Sequence, residues 1–352
     1  MENLGIIKRI LVTGSEGYIG TVLMPMLIEE GYDIAGLDTC FYSDGNLTNE
    51  ILPEYELIKK DIRDIKVEDL KNFDAIVHLA ALSNDPLGKL DENLTYQINY
   101  HAAVDLARNA RHSGVKRFIF SSSCSLYGES EKVLTENDVA NPQTAYGKSK
   151  ILAEKEIAKF ACEEFSPIYL RNATAYGISP RMRFDIVVNN LAGFAKTEKV
   201  IRILGDGTPW RPLVHVKDIC KAIIFSLQAP RENIHNNTFN IGNSEENYQI
   251  KTIAERIKNS YPECKIEIMM KNAGDNRNYI VSFNKAENLL KFKTQYSLDT
   301  GIKEIVAAYE RCDLKEDIFN NRIYTRLRQI EYLLKEGKIK PDLRWTELKE
   351  TV

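Results

Sequence analysis

The stretch Ile10-Leu11-Val12-Thr13-Gly14-Ser15-Glu16-Gly17-Tyr18-Ile19-Gly20 decides how the rest of the chain is read. Its apolar, β-branched start predicts a buried strand, the glycines a tight turn, and the residues from Tyr18 to Glu30 a helix. Gly14 permits the turn, Gly17 lets the backbone approach a pyrophosphate, and Gly20 allows the helix to pack closely on the sheet. The first turn of such a helix offers unpaired N–H groups and the positive end of its dipole to a diphosphate.

Outward from this unit the same alternation repeats. Further strands are expected at Asp33–Leu37, Ala75–Leu79, Arg117–Ser121 and Ile168–Arg171, and helices near Asn99–Ser113 and Tyr146–Glu164. Strands alternating with helices predict an α/β fold, a Rossmann-type doubly wound parallel sheet with helices on both faces. Residues 1–177 are assigned to this domain, with 213–242 returning to it, and 178–311 to a smaller C-terminal lobe that binds substrate. In that lobe a helix is expected near Ile186–Lys196, a strand-to-helix unit at Leu213–Leu227, a strand at Asn237–Ile241, a helix at Gln249–Ser260 and a strand at Lys265–Met270. Residues 312–352 form a helical extension. There Ile323, Leu327, Ile330, Leu333 and Leu334 recur at helical spacing, Gly337 is placed to cap the helix, and Trp345 to anchor it on the body.

Composition excludes several classes. A net charge of −3 with interspersed signs leaves no basic stripe for nucleic acid, and no run of about 18 apolar residues predicts a membrane span. The six cysteines are scattered without a CxxC pair and read as reduced thiols of a cytoplasmic protein. The five histidines lack ligand spacing, so no metal is expected.

Asp38 ends the second strand about 20 residues beyond the glycine turn, where a carboxylate accepts both ribose hydroxyls of NAD and repels a 2′-phosphate. Thr39 and Cys40 follow, with no arginine to neutralise such a phosphate. NAD is therefore the expected cofactor. The GxxGxxG spacing resembles the extended short-chain dehydrogenase/reductase family, in particular its sugar-nucleotide epimerases and dehydratases. Asp61-Ile62-Arg63-Asp64 is similar to the family segment that contacts adenine, and His78-Leu79-Ala80-Ala81 to the turn that passes along the cofactor. The resemblance, which spans about residues 8 to 310, assigns Gly14, Gly17, Tyr18, Ile19, Gly20, Asp38, Asp61, Ile62, Leu79, Ala80, Ala81, Asn99, Ser121, Tyr146 and Lys150 to the cofactor.

Tyr146 and Lys150 stand four apart, a spacing that puts both on one helix face. A phenol titrates near 10 when unperturbed, and two nearby positive charges, an ammonium and an oxidised nicotinamide, lower that value. A depression of about three units corresponds to roughly 4 kcal/mol. Tyr146 then takes the proton of a sugar hydroxyl as the hydride leaves the same carbon. Phe120-Ser121-Ser122-Ser123-Cys124-Ser125-Leu126-Tyr127-Gly128 resembles the strand end that supplies the family's catalytic hydroxyl, and the alignment implies Ser123 in that role. The family's 4,6-dehydratases carry an Asp–Glu pair where Cys124 and Ser125 stand, and its decarboxylases a Glu at the Ser125 position. Both activities are disfavoured here. Cys124 is read as a small packing residue rather than an acid, at the substrate's edge.

Gly205-Asp206-Gly207 through Arg211 and His215-Val216-Lys217-Asp218 resembles the family's nucleotide-diphosphate motif, which implies Arg211 as one phosphate clamp and Arg277 as a second. His215 is read as structural. Ser83, Ser123, Cys124, Thr174 and Arg183 complete the expected substrate contacts, with Thr174 standing where the family commonly has Asn. Three readings follow. The leading one is a 4-epimerase oxidising C4 of a nucleotide-diphosphate hexose transiently. The second is a C4 dehydrogenase that releases the keto sugar, and the third a non-catalytic NAD-binding regulator. The resemblance also implies a homodimer pairing the helices 99–113 and that of Tyr146, through Ala103, Leu106, Ala107 and Ala110 on one and Ile151, Ile157 and Phe160 on the other.

Overall fold

The computed structural model describes residues 7–83, 86, 91–269 and 277–346. Strands β1 (Arg9–Thr13), β2 (Asp33–Asp38), β3 (Glu56–Lys59), β4 (Ala75–His78), β5 (Arg117–Ser123), β7 (Ser166–Asn172) and β11 (Asn237–Ile241) form one seven-stranded sheet. Its order is β11-β7-β5-β4-β1-β2-β3, and every neighbouring pair runs parallel. The order reverses between β1 and β4, and open α/β sheets bind ligands beyond the strand ends at that point.

Alternation along each strand explains why the sheet is covered on both sides. Ile10, Val12, Val77 and Ile119 enter one apolar core, while Leu11, Ile76, Phe118 and Phe120 enter the other. Successive side chains point to opposite faces, so a strand buried on both must be apolar throughout. Helix α1 (Gly20–Glu29) follows β1 as expected. Helix α2 (Ala102–His112) is entered through a wide turn at Gln97–His101, and α3 (Ala145–Ala158) ends before Lys159, six residues short of the sequence expectation at Glu164. Beyond it the chain turns back at Cys162 and Phe165, whose backbones bond to each other, to enter β7.

Strand β3 was not anticipated, because Glu56-Leu57-Ile58-Lys59 lies at the sheet edge and lacks a continuous apolar run. The remaining part of the chain contains α4 (Val187–Glu198), α5 (Val216–Gln228), α6 (Ile250–Ser260) and α7 (Leu298–Arg311). Its strands form small sheets: β8 (Thr174–Tyr176), β10 (Trp210–His215) and β12 (Asn247–Gln249) in one, and β9 (Val200–Leu204) with β13 (Lys265–Met269) in another. A third pairs β6 (Glu129–Leu134) with β14 (Asn278–Val281). The stretch 213–242 therefore divides. Helix α5 packs on α1 and on β5 and β7, and β11 joins the main sheet, whereas β10 pairs only with β8 and β12.

The apolar residues expected at a subunit contact are mostly spent inside the subunit. Ala103, Leu106, Ala107, Ala110 and Ile157 are buried against the chain's own sheet. Phe160 packs at the rim of the same core, beneath the Arg108 guanidinium. Their helical spacing marks the inward stripe, since the sheet must be covered before a partner is.

Helix α8 (Arg326–Lys335) forms where the Ile323–Leu334 periodicity places it, with Gly337 at φ +64 just past its end. It does more than cover a random face. Ile330, Leu333, Ile339 and Leu343 pack with Leu82 and Leu94, and Phe41, Tyr42 and Leu327 lie against them. Trp345 stays 44% exposed but donates its indole N–H to the Thr39 carbonyl at 2.6 Å, beside the end of β2. Among the described residues, no helix is long and apolar enough to cross a membrane.

Candidate active site

At the carboxyl ends of the central strands lies a cavity of about 1310 Å³. Pockets for a single small ligand run to about 300–1,000 Å³, so there is room for two. Gly14, Gly17, Tyr18, Ile19 and Gly20 line one end. The glycines are required there: a Cβ on Gly20 would stand 2.3 Å from the Gly14 carbonyl, and one on Gly14 (φ +77) 2.7 Å from the Ala80 nitrogen. Tyr18 donates its hydroxyl to the Gly177 carbonyl at 2.7 Å, joining this end to the following lobe.

Asp38 lines the same end, and its carboxylate accepts the backbone N–H of Glu16 at 3.0 Å and of Cys40 at 2.7 Å. Burial pushes its carboxyl up to about 6, while those two N–H groups pull the other way. Asp61, Ile62, Leu79, Ala80 and Ala81 continue the wall. Asp61 accepts the Arg63 backbone N–H at 2.8 Å and pairs with its guanidinium at 2.6 Å, which holds that turn in place. A cradle that a Cβ would fill and a carboxylate at the end of β2 fit a dinucleotide. One assignment changes. Asn99 does not line the cavity: it is 1% exposed, accepting the Leu82 N–H at 2.8 Å and donating to the Leu82 carbonyl at 3.0 Å. It positions the loop after β4 and is enclosed too deeply to touch a ligand.

Ser121, Ser123, Tyr146 and Lys150 line the same cavity. The first two come from the end of β5, the others from the first turns of α3, which is capped by the Thr144 hydroxyl on the Gly147 N–H at 3.2 Å. Ser123 is held by Ser125, receiving its N–H at 3.2 Å and donating to its hydroxyl at 2.9 Å. The Lys150 ammonium donates to the Ser121 carbonyl at 2.7 Å and lies 5.8 Å from the Tyr146 ring centre. Burial pulls this ammonium down to about 8, with Glu154 opposing the shift.

Cys124 must be withdrawn from the substrate contacts. It is fully buried, turned away from the cavity, and its thiol donates to the Arg171 carbonyl at 3.1 Å. Alternation along the chain explains this: Ser123 faces the ligand end, so its neighbour points into the core. Burial pushes the thiol well above its usual range.

Ser83, Thr174, Arg183, Arg211 and Arg277 also line the cavity. Arg183 pairs with Asp185 at 2.8 Å and donates to the Ser83 hydroxyl at 3.2 Å. The Arg211 guanidinium donates to the Trp210 carbonyl at 2.8 Å and also to that of Arg277, which brings the two arginines together from distant parts of the chain. Of the segment Gly274-Asp275-Asn276-Arg277, only Arg277 is among the described residues. His215 is structural: its Nδ1 accepts the Lys217 N–H at 3.3 Å and its ring stacks on Tyr296 at 3.9 Å.

Sequence reasoning missed two wall residues of consequence. Asn172, at the end of β7, donates to the Ser121 hydroxyl at 3.0 Å, and its buried side-chain oxygen has no partner among the described residues. The strand pairing that aims it at Ser121 is not legible in the sequence. Arg326, at the start of α8, also lines the cavity, although it is more than 140 residues beyond Arg183. No local pattern marks it.

Residues 10–242 match the sequence pattern of the NAD dependent epimerase/dehydratase family. The UDP-glucose 4-epimerase of Corynebacterium glutamicum is 30% identical over 310 residues, 82% of this chain and 92% of that protein. A putative UDP-glucose 4-epimerase of Methanocaldococcus jannaschii is 30% identical over 308 residues, 84% of this chain and 97% of its own length. Among solved structures, the UDP-glucose 4-epimerase of Thermotoga maritima with UDP-glucose superposes with a TM-score of 0.75 at 27% identity, covering 86% of this chain and 99% of that one. MoeE5 in complex with UDP-glucuronic acid and NAD also gives 0.75, at 26% identity over 86% and 99% of the two chains. The glycine cradle, the Ser–Tyr–Lys set and the match across well over half of the chain agree: this protein is an NAD-dependent enzyme of the epimerase/dehydratase family.

Proposed function

We propose that the enzyme is a 4-epimerase of a nucleotide-diphosphate sugar, with a UDP-hexose as the substrate its relatives favour. NAD, when bound, supplies the hydride acceptor. Tyr146 removes the proton from the C4 hydroxyl, Ser123 holds that hydroxyl, and Lys150 favours the phenolate through its positive charge. Returning the proton from Tyr146 as the hydride comes back to the opposite face of C4 completes the inversion. Arg211 and Arg277 hold the sugar nucleotide's diphosphate. Ser83, Thr174 and Arg183 face its sugar.

The observation that carries this reading is that Ser123, Tyr146 and Lys150 line one cavity together with the glycine cradle and the paired arginines. No carboxylic acid occupies the turn after Ser123, where elimination chemistry would need one; Cys124 is buried and Ser125 is tied to Ser123. The reading includes a homodimer across the outer sides of α2 and α3, where Leu152 remains exposed. It also includes a cytoplasmic location, in keeping with six cysteines that form no disulfide.

The test is a panel of UDP-, dTDP-, GDP- and CDP-hexoses with catalytic NAD. An epimerase interconverts C4 epimers with no net build-up of reduced nicotinamide. Stoichiometric reduced cofactor with a 4-keto sugar and no epimer would instead establish the dehydrogenase.

A further inference from the structure

Arg326 is the one strongly buried cation of the cavity that comes from the C-terminal extension, beyond the family match at residues 10–242. It is 3% exposed. Its guanidinium lies 4.1 Å over the Tyr42 ring and donates to the carbonyls of Arg181 at 3.0 Å and Ile323 at 3.4 Å. Asp185 accepts its backbone N–H at 3.3 Å, and the charges of Asp185 and Asp38 act on it from the same cavity wall. Burial, and then the charge of Arg183, pull it down to about 10, so it remains a cation at neutral pH. A buried cation is costly unless it is well paired, and the neighbouring Arg183 adds a second positive charge. An anion bound in the cavity would offset that charge.

Two anions enter this cavity, the diphosphate of the dinucleotide and that of the sugar nucleotide. The surroundings select the first. The Arg181 whose carbonyl Arg326 holds is paired through its own guanidinium with Glu16 of the glycine turn, at 2.7 Å. Arg183, Tyr42, Asp185 and Asp38 are the titratable groups that act on Arg326 most strongly, and Asp38 and Tyr42 belong to the β2 side of the cavity. The same extension closes over the adenosine end. Leu343 lines the cavity, Trp345 is bonded to Thr39 next to Asp38, and Arg344 pairs with Asp64 close to Asp61 and Ile62.

We infer that Arg326 binds the diphosphate of NAD and that the segment 326–346 straps the adenosine end of the cofactor into its cleft. The inference rests on NAD as cofactor and is independent of which sugar is turned over.

Binding to the full-length protein stripped of nucleotide tests it by calorimetry, with ADP-ribose, adenosine and UDP as separate probes. Arg326→Gln should weaken ADP-ribose by about 10-fold or more, the usual loss for a charge-assisted phosphate contact, and leave adenosine and UDP unchanged. Arg326→Lys, which keeps the charge without the planar fork, should fall between. Weakened UDP with unchanged ADP-ribose would assign the charge to the sugar nucleotide and overturn the proposal. So would equal losses for adenosine and ADP-ribose, the mark of a purely structural residue, or no loss at all. Trp345→Ala, at a half-exposed position that folding tolerates better, tests the strap. It should speed NAD release several-fold with UDP affinity unchanged, and an unaltered release rate overturns the strap.

Discussion

In the proposed function, Tyr146 and Asp38 are single side chains that set the chemistry. Tyr146→Phe keeps the ring's packing and removes the proton acceptor. Turnover should fall by about 100-fold or more with NAD affinity nearly unchanged, as measured by steady-state rates and calorimetry. Asp38 gives a test in pH. Its carboxyl, pushed up to about 6 by burial, must be ionised to accept ribose hydroxyls, so NAD affinity should weaken as pH falls through about 6. The apoenzyme's stability should move the opposite way. A carboxyl whose value is raised on folding binds more protons folded than unfolded, so its contribution is present at low pH and is lost as pH rises through about 6. Calorimetric affinities and urea midpoints between pH 5 and 8, an interval bracketing that value, should therefore change with opposite signs. NADP should bind far more weakly than NAD at neutral pH, because its 2′-phosphate would meet this carboxylate.

At the scale of elements, the site depends on how α3 is fastened to the sheet. Glu154, two turns after Tyr146, accepts three hydrogen bonds from the Arg171 guanidinium on β7, at 2.7 to 3.2 Å, and one from the Ser122 hydroxyl on β5. Both members of the ion pair are buried. Arg171 in turn donates to the Tyr127 hydroxyl at 2.9 Å, and Tyr127 donates to Asn240 at 2.8 Å. One carboxylate thus ties α3, β5 and β7 into a fixed arrangement behind Ser123, Tyr146 and Lys150. Glu154→Ala leaves an uncompensated buried guanidinium and should cost roughly 3–5 kcal/mol in urea unfolding. Its stable fraction should also lose turnover, since α3, which carries Tyr146 and Lys150, is no longer fastened to β5 and β7. The Tyr–x–x–x–Lys pair was plain in the sequence. Its fastening was not, because Glu154 and Arg171 read as ordinary charges until the strand order brings them together.

The whole molecule adds the two features that no single element carries, the enclosure of the cleft and the surface left for a partner. The extension returns from β11 and α7 to the β2 side of the cleft, so the chain's last described segment covers what its first segment builds. The inward faces of α2 and α3 are committed to the sheet, and a homodimer must use their outer sides. Light scattering at micromolar concentration should then give a mass near twice the chain's 40.2 kDa, and Leu152→Glu should reduce it. A monomer mass for the unaltered chain would refute the dimer.

The sequence by itself determined the parallel sheet, the glycine cradle, the position of Asp38 at the end of β2 and the shared helix face of Tyr146 and Lys150. Each of these rests on a short-range pattern: strand alternation, a turn that only glycine permits, or a four-residue helical spacing. Asn99 and Cys124 were misplaced because the sequence position is right but the direction of the side chain is set by what packs around it. Arg326 and Asn172 were invisible because their meaning is their neighbours. Which buried cation faces the dinucleotide, and which amide faces Ser121, was decided only when strand pairing and the docking of the extension brought distant residues to one wall, where removal from water makes an unpartnered polar group costly.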